Sequence, residues 1–272
     1  MHAVVCVKQV PDTAEVRIDP ETNTLVREGV PSIINPYDAH AVEAAVELKE
    51  QVGGKVTVIS MGPPQAEDVL KKALSFGADE AILLSDRAFA GSDTLATSYV
   101  LAEAIKKIAE RNPVDLVFCG KQAIDGDTAQ VGPGIAVRLG YNQLTYVMKI
   151  DQLDMEKREI KIRRKLEGQA EVVISKLPAV LTVVKDINNL RYASFPNMLS
   201  AALAKITVWG KNDLHLDEEQ LGLKGSPTTV RRIFPPPERP GGEIIAGADK
   251  DPEKAVRTLV DILIKEKITA DK

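Results

Sequence analysis

VDLVFCGKQAIDGDTAQVGPGIAVRL, residues 114–139, reads as a buried strand, a turn and a helix in succession. Val114, Leu116, Val117 and Phe118 form an apolar run, and the spacing predicts a strand over Asp115–Cys119 and a helix over Thr128–Leu139. Between them, GKQAIDGDTAQVGPG (Gly120–Gly134) has four glycines, which permit tight turns and close approach of backbone to a ligand. Free N–H groups at the helix start, near Asp127 and Thr128, favour a phosphate. Lys121 adds positive charge, while Asp125 and Asp127 make the turn mixed in sign, open to a cation or to a carboxylate that caps the helix. The segment matches neither the P-loop pattern nor GxGxxG, and a glycine-rich turn kept for packing is the competing reading.

Upstream, β-branched runs alternate with helical periods. Strands are expected at Ala3–Val7, Lys55–Ser60 and Glu80–Leu84, and helices at Ala39–Lys49, Ala66–Phe76 and Thr94–Glu110. The fold class is therefore α/β, an open and mostly parallel sheet flanked by helices on both faces. Right-handed crossovers bring CVKQVP, SMGPP and CGKQAIDGD, which follow the first, second and fourth strands, to a common edge where a ligand crevice forms.

After Tyr141 the pattern changes. Short strands at Val147–Ile150, Glu159–Arg164 and Ala170–Ser175 suggest antiparallel additions, and Leu177–Val184 a further buried strand. From Gly210 to Gly247 the chain is rich in Gly, Pro and charge, with PPPERPGG at Pro235–Gly242, before a helix over Glu253–Lys265 with Val256, Leu259, Val260 and Leu263 on one apolar face. This is either an extended arm that wraps a partner or an irregular return whose helix packs on its own core. The expected division is 1–209, an α/β nucleotide-binding domain with antiparallel additions, and 210–272, a C-terminal arm and amphipathic helix.

Composition excludes several classes. With 35 basic and 39 acidic residues in 272, and a net charge of −4, a dominant nucleic-acid surface is unsupported. There is neither an apolar run of membrane-spanning length nor a signal segment, so membrane insertion is not expected and the expected location is cytoplasmic. Cys6 and Cys119 lie in or at the end of strand patterns and read as buried small hydrophobes rather than a disulfide or metal pair. His2, His40 and His215 are too dispersed for a metal site, so no metal is expected.

A second donor-rich turn, FAGSDTLATSY (Phe89–Tyr99), places Ser92, Asp93 and Thr94 at a helix start with Thr97 and Ser98 in the first turn. Ordinary capping explains it alone; two such starts after neighbouring strands suit the two phosphates of a dinucleotide.

CVKQVPDT (Cys6–Thr13), INPYDAHAVEAA (Ile34–Ala45), CGKQAIDGDTAQVGP (Cys119–Pro133), RRKLEGQAE (Arg163–Glu171) and LRYASFPNML (Leu190–Leu199) together resemble the β subunit of electron transfer flavoprotein, over essentially the whole chain. The resemblance implies a heterodimer with an α subunit, reached by the C-terminal arm, and a nucleotide in this subunit that is AMP in ordinary members. FAGSDTLATSY with VISMGPPQA is similar to the electron-bifurcating branch, in which FAD takes the place of AMP. By that resemblance Val7 and Lys8 lie by the adenosine, Asn35 and Asp38 help close the crevice, and Met61 and Gly62 border it. Asp127, Thr128, Ala129, Gln130 and Val131 surround the phosphates, with Ala129 and Val131 acting through backbone N–H groups, and Thr94 and Thr97 meet the extra half of FAD.

The implied chemistry is hydride transfer from NADH to a flavin here. One electron then passes toward a high-potential flavin in the α subunit or a partner such as an acyl-CoA or lactate-type dehydrogenase, and one to ferredoxin or flavodoxin. No side chain is required as a nucleophile or general base; Lys8, Arg138 and Arg164 are candidate sources of positive field, set against the plainer reading of each as a solvated or phosphate-facing charge. Phe195 aligns with the family's dehydrogenase anchor, with Met198 and Leu199 beside it. A stand-alone adenine-nucleotide switch is disfavoured, because no Walker lysine arrangement is present.

Overall fold

The computed structural model describes residues 1–12, 32–229, 241–242, 244–245 and 249–266. Most of PPPERPGG lies outside the described residues. The described strands are β1 (His2–Cys6), β2 (Gln9–Pro11), β3 (Ser32–Ile34), β4 (Lys55–Met61), β5 (Glu80–Leu84), β6 (Leu116–Gly120), β7 (Asn142–Asp154), β8 (Glu159–Leu166), β9 (Gln169–Lys176), β10 (Ala179–Val183) and β11 (Thr207–Trp209). The helices are α1 (Pro36–Val52), α2 (Glu67–Ser75), α3 (Thr94–Arg111), α4 (Val131–Leu139), α5 (Phe195–Leu203) and α6 (Pro252–Lys265).

Nine strands form one sheet in the order β11-β5-β4-β1-β6-β10-β7-β8-β9. Pairing is parallel from β11 through β7 and antiparallel from β7 to β9. Strands β1, β6 and β10 are buried at every position, as nearly continuous apolar runs covered on both faces require, with His2 and Thr182 as their buried polar members. Because side chains alternate, Ala3, Val5, Val58 and Phe118 pack with α1 and α2, whereas Val4, Ile59, Val117 and Val180 pack with α3 and α4.

The antiparallel additions lie beside the parallel core, as expected, and are continuous with it. β7 starts as a parallel neighbour of β10, shifts register between Leu181 and Val183, and continues into the β8–β9 ribbon, so one long strand belongs to both halves. A bulge of this kind bends a strand and re-aims its side chains; here Tyr146 has a left-handed φ of 57°.

From β1 the chain winds outward through β4 and β5, and α3 then carries it back to β6 on the other side of β1. The order reverses between β1 and β6, and ligands of open α/β sheets bind at the carboxyl ends of strands at such a reversal. One compact unit spans Met1–Ile233 and a second Phe234–Lys272. Residues 210–229 belong to the first unit: Leu214 and Leu221 are buried in its core, and Thr228 hydrogen-bonds Asp93 through both its backbone N–H and its hydroxyl. In the second unit, α6 exposes Val256, Leu259, Val260 and Ile264.

Candidate functional site

The crevice is tied together by two polar side chains at the start of α1. Asp38, buried, accepts the N–H of Lys8 at 2.8 Å and of Gly120 at 3.0 Å, which clasps the ends of β1 and β6. Burial pushes its carboxyl up to about 7, against the hydrogen bonds from Asn35, Lys8 and Gly120 that favour the charged form. Asn35, at the N-cap of α1, does not cap it: its amide donates to Gln122 O (2.9 Å) and accepts from Ile124 N (3.2 Å), so it fixes the turn after β6. Gly120 is required here, since a Cβ would stand 2.3 Å from Asp38 Oδ1 and 2.6 Å from Tyr37 Cβ.

Val7 continues β1 and donates to Ile59 O, and Gly62 donates to Leu84 O, so Met61 and Gly62 border the same edge from β4. Lys8 Nζ is bound to Asp125 at 2.7 Å, and its charge is partly spent within the protein.

The turn corrects one expectation. The helix begins at Val131, not Thr128, and its N-cap Gln130 makes no side-chain cap. Asp127 (φ 51°) and Ala129 (φ 55°) have left-handed backbones, which a helix from Thr128 cannot accommodate. Among the described residues, the N–H groups of Thr128, Ala129, Gln130, Val131 and Gly132 have no hydrogen-bond partner. Such consecutive donors in a turn that leads into a helix make an anion-binding concavity. The flanking glycines serve packing instead: a Cβ on Gly132 would stand 2.5 Å from Thr182 Cγ2, and one on Gly134 2.8 Å from Ser98, where α3 and α4 touch. Gly132 and Gly134 thus follow the packing reading, while the unpartnered N–H groups before them are suited to an anion.

The second donor-rich start adjoins the first. Asp93 caps α3 by accepting from Leu95 N and Ala96 N, and Thr94 Oγ1 donates to Gln130 Oε1 at 2.9 Å. Thr97 sits in the same first turn, its N–H bound to Asp93 O. Arg138 reaches this helix start too, through Ser98 Oγ and Leu95 O, with its guanidinium 5.2 Å from the Tyr99 ring centroid.

In the other direction the edge runs on across the sheet. Lys121 N donates to Val183 O, Val184 N to Val147 O, and Val147 pairs with Arg164. Arg164 Nε is buried with no partner among the described residues, although its Nη2 donates to Thr145. Lys121 Nζ lies 5.3 Å from the Tyr146 ring centroid.

Phe195, Met198 and Leu199 are not brought to the crevice. They lie on α5, which Ser194 caps, and Phe195 is 74% exposed with Met198, Leu199 and Leu203 also exposed. Just before α5, Arg191 binds Glu43 (2.9 Å) and Glu50 (2.6 Å) on α1, which raises the guanidinium above its ordinary value. Sequence reasoning missed this clamp, yet Glu43, Glu47 and Glu50 recur on one helical face and call for a cation. Tyr146 was missed as well, and no residue pattern announces its bulge.

Among the described residues no cluster of three or more His, Cys, Asp or Glu could hold a metal ion, and no helix is long and apolar enough to cross a membrane. His2 bonds Asn112 O and Thr57, and His40 bonds Asn188.

Residues 22–214 match the model of the electron transfer flavoprotein domain, more than half of the chain. The chain belongs to the electron transfer flavoprotein family as a β subunit. It is 53% identical over 255 residues to the protein FixA of Azotobacter vinelandii, covering 93% of this chain and 91% of that one. To the electron transfer flavoprotein subunit beta of Clostridium acetobutylicum it is 51% identical over 266 residues, covering 98% and 99%. To the subunit of the same description in Thermoanaerobacterium thermosaccharolyticum it is 51% identical over 264 residues, covering 97% and 98%. The open α/β core with an antiparallel ribbon is thus that of an electron transfer flavoprotein β subunit.

Proposed function

We propose that this electron transfer flavoprotein β subunit pairs with an α subunit and holds an adenine nucleotide in the crevice between β1 and β6. The observation that carries the reading is the row of five unpartnered backbone donors from Thr128 to Gly132 at the sheet's topological reversal. Asp38 and Asn35 would shape the crevice, Val7, Lys8, Met61 and Gly62 would border the adenosine, and Asp127–Val131 would surround the phosphates.

Two nucleotides suit this frame. AMP asks less of the chain, because its one phosphate is served by the 127–132 turn alone, and family membership requires nothing further. FAD would also engage Thr94 and Thr97; the Thr94–Gln130 hydrogen bond, which joins the two helix starts, and the orphaned Arg164 Nε farther along the edge favour it. A flavin, when bound, accepts a hydride as an electron pair and passes electrons on singly, which would make the subunit part of an NADH-dependent bifurcating complex with ferredoxin or flavodoxin as low-potential acceptor. This chain's own residues would bind and orient it, and Arg164 would supply a positive charge.

The α5 face, led by Phe195, would dock a flavin-dependent dehydrogenase. Extraction of nucleotides from the purified heterodimer tests the reading. Two FAD per αβ pair supports bifurcation, one FAD with one AMP supports the simpler carrier, and no nucleotide attributable to this subunit overturns both.

A further inference from the structure

Cys6 and Cys119 are the chain's two cysteines, and they are aligned partners on the adjacent parallel strands β1 and β6. Both are free and buried, 8% and 5% exposed, on the α3/α4 face of the sheet. They form the last core layer beneath the crevice. Val7 and Lys8 follow Cys6, and Gly120, whose N–H binds Asp38, follows Cys119. The first turn of α4 covers Cys119: a Cβ on Gly132 would stand 3.7 Å from Cys119 Sγ.

Neighbouring strands lie about 4.8 Å apart, inside the Cα separation of roughly 4.4–6.8 Å that a disulfide accepts, whereas bridged Cβ atoms sit about 3.8 Å apart. A bond between these thiols would therefore bring the two Cβ atoms nearer by on the order of 1 Å, which tilts the last residues of β1 and β6 toward one another. Those are the two ends that Asp38 clasps and that frame the crevice. At rest the pair is quiet, because the hydrogen bond with Cys119 and burial push the Cys6 thiol well up, and a protonated thiol is a poor nucleophile. What shields it is the first turn of α4 together with the segment that leads into it, and the N–H groups from Thr128 to Gly132 there are held by no partner among the described residues.

We propose that Cys6 and Cys119 form a reversible intrachain disulfide when the crevice is empty, and that this bond closes the crevice to its ligand. A peroxide oxidises one thiol to a sulfenic acid and is itself reduced to water or an alcohol. The second thiol then displaces water from the sulfenic sulfur to form the S–S bond. Two electrons and two protons leave the pair in total, and a dithiol reductant returns them by exchange. A bound ligand that engages the free N–H groups would hold the α4 turn over Cys119 and block the reaction. The inference rests on the proposed function only for the choice of probe nucleotide, since the state of the thiols is read independently.

The test treats the heterodimer with hydrogen peroxide, stripped of nucleotide or saturated with AMP or FAD, alkylates the remaining thiols, and maps this chain by mass. In the stripped protein the chain should lose two hydrogens and yield a linked Cys6–Cys119 peptide. Saturation with the nucleotide that binds should slow this roughly tenfold, and the oxidised protein should bind that nucleotide at least about tenfold more weakly until dithiothreitol restores it. Cys6→Ser should retain its affinity through the same treatment. Two alkylated thiols in the stripped chain, sulfinic acid at Cys119 without linkage, or equal loss of affinity in Cys6→Ser would each overturn the proposal. If neither nucleotide binds the reduced heterodimer, the functional reading fails instead, and the linked peptide still decides whether the disulfide forms.

Discussion

Asp38→Asn should make the nucleotide-free protein more stable at pH 8 while leaving it nearly unchanged at pH 4. Burial raises the Asp38 carboxyl from 3.8 to about 7. Between those values the folded chain binds a proton that the unfolded chain has released, so stability from this group is full below pH 4 and is lost as pH rises through 7. A shift of about three pH units at 1.36 kcal/mol each amounts to roughly 4 kcal/mol above pH 7. Asparagine resembles the neutral carboxyl in shape and keeps one carbonyl acceptor for the N–H of Lys8 or Gly120, but it never pays the cost of ionising. The difference between the two proteins should thus grow from near zero to about 4 kcal/mol across this window. Urea denaturation of both at half-unit pH steps measures it, and the subtraction removes the other titrating groups. A difference that is flat with pH would refute the reasoning. A variant less stable by about 2 kcal/mol at pH 8 would show that the two backbone N–H groups stabilise the carboxylate more than burial penalises it.

In the phosphate turn, Thr128→Pro removes one free donor and should sharply lower nucleotide content, whereas Ala129→Gly, which relieves a left-handed alanine (φ 55°), should raise stability by about 1 kcal/mol with content retained; content after extraction and urea midpoints check both. Thr94→Val with Thr97→Val should weaken FAD more than AMP, and an equal change in both dissociation constants would reduce these residues to the α3 helix start. Phe195→Ala should weaken dehydrogenase binding by roughly 2 kcal/mol without loss of the αβ assembly, as titration with the purified dehydrogenase would show; loss of assembly would make Phe195 a packing residue.

Much of this architecture was legible because burial on both faces leaves a plain trace. The runs that become β1, β6 and β10 are largely apolar without a polar alternate face, as a parallel strand covered on both sides requires. Strand β11 left no such trace, since three residues at a sheet edge carry too short a period to read. The start of α4 was misplaced for a different reason. Thr128, Ala129 and Gln130 have ordinary helical propensities, and nothing in an alanine reports that tertiary contacts will hold it left-handed.

The glycines of the same turn were ambiguous because a glycine marks close approach without naming what approaches. At Gly120 it is the Asp38 carboxylate and Tyr37, at Gly132 Thr182, and at Gly134 Ser98. These contacts are not rivals to a ligand site. They hold α1, α4 and β10 close together, so that the segment between Gly120 and Gly132 turns back on itself outside the sheet, and among the described residues that turn leaves the N–H groups from Thr128 to Gly132 unpaired. Packing at the glycines thus creates the donors, and a variant such as Gly132→Ala, whose Cβ would stand 2.5 Å from Thr182, should lose nucleotide by displacing α4 even though it removes no donor.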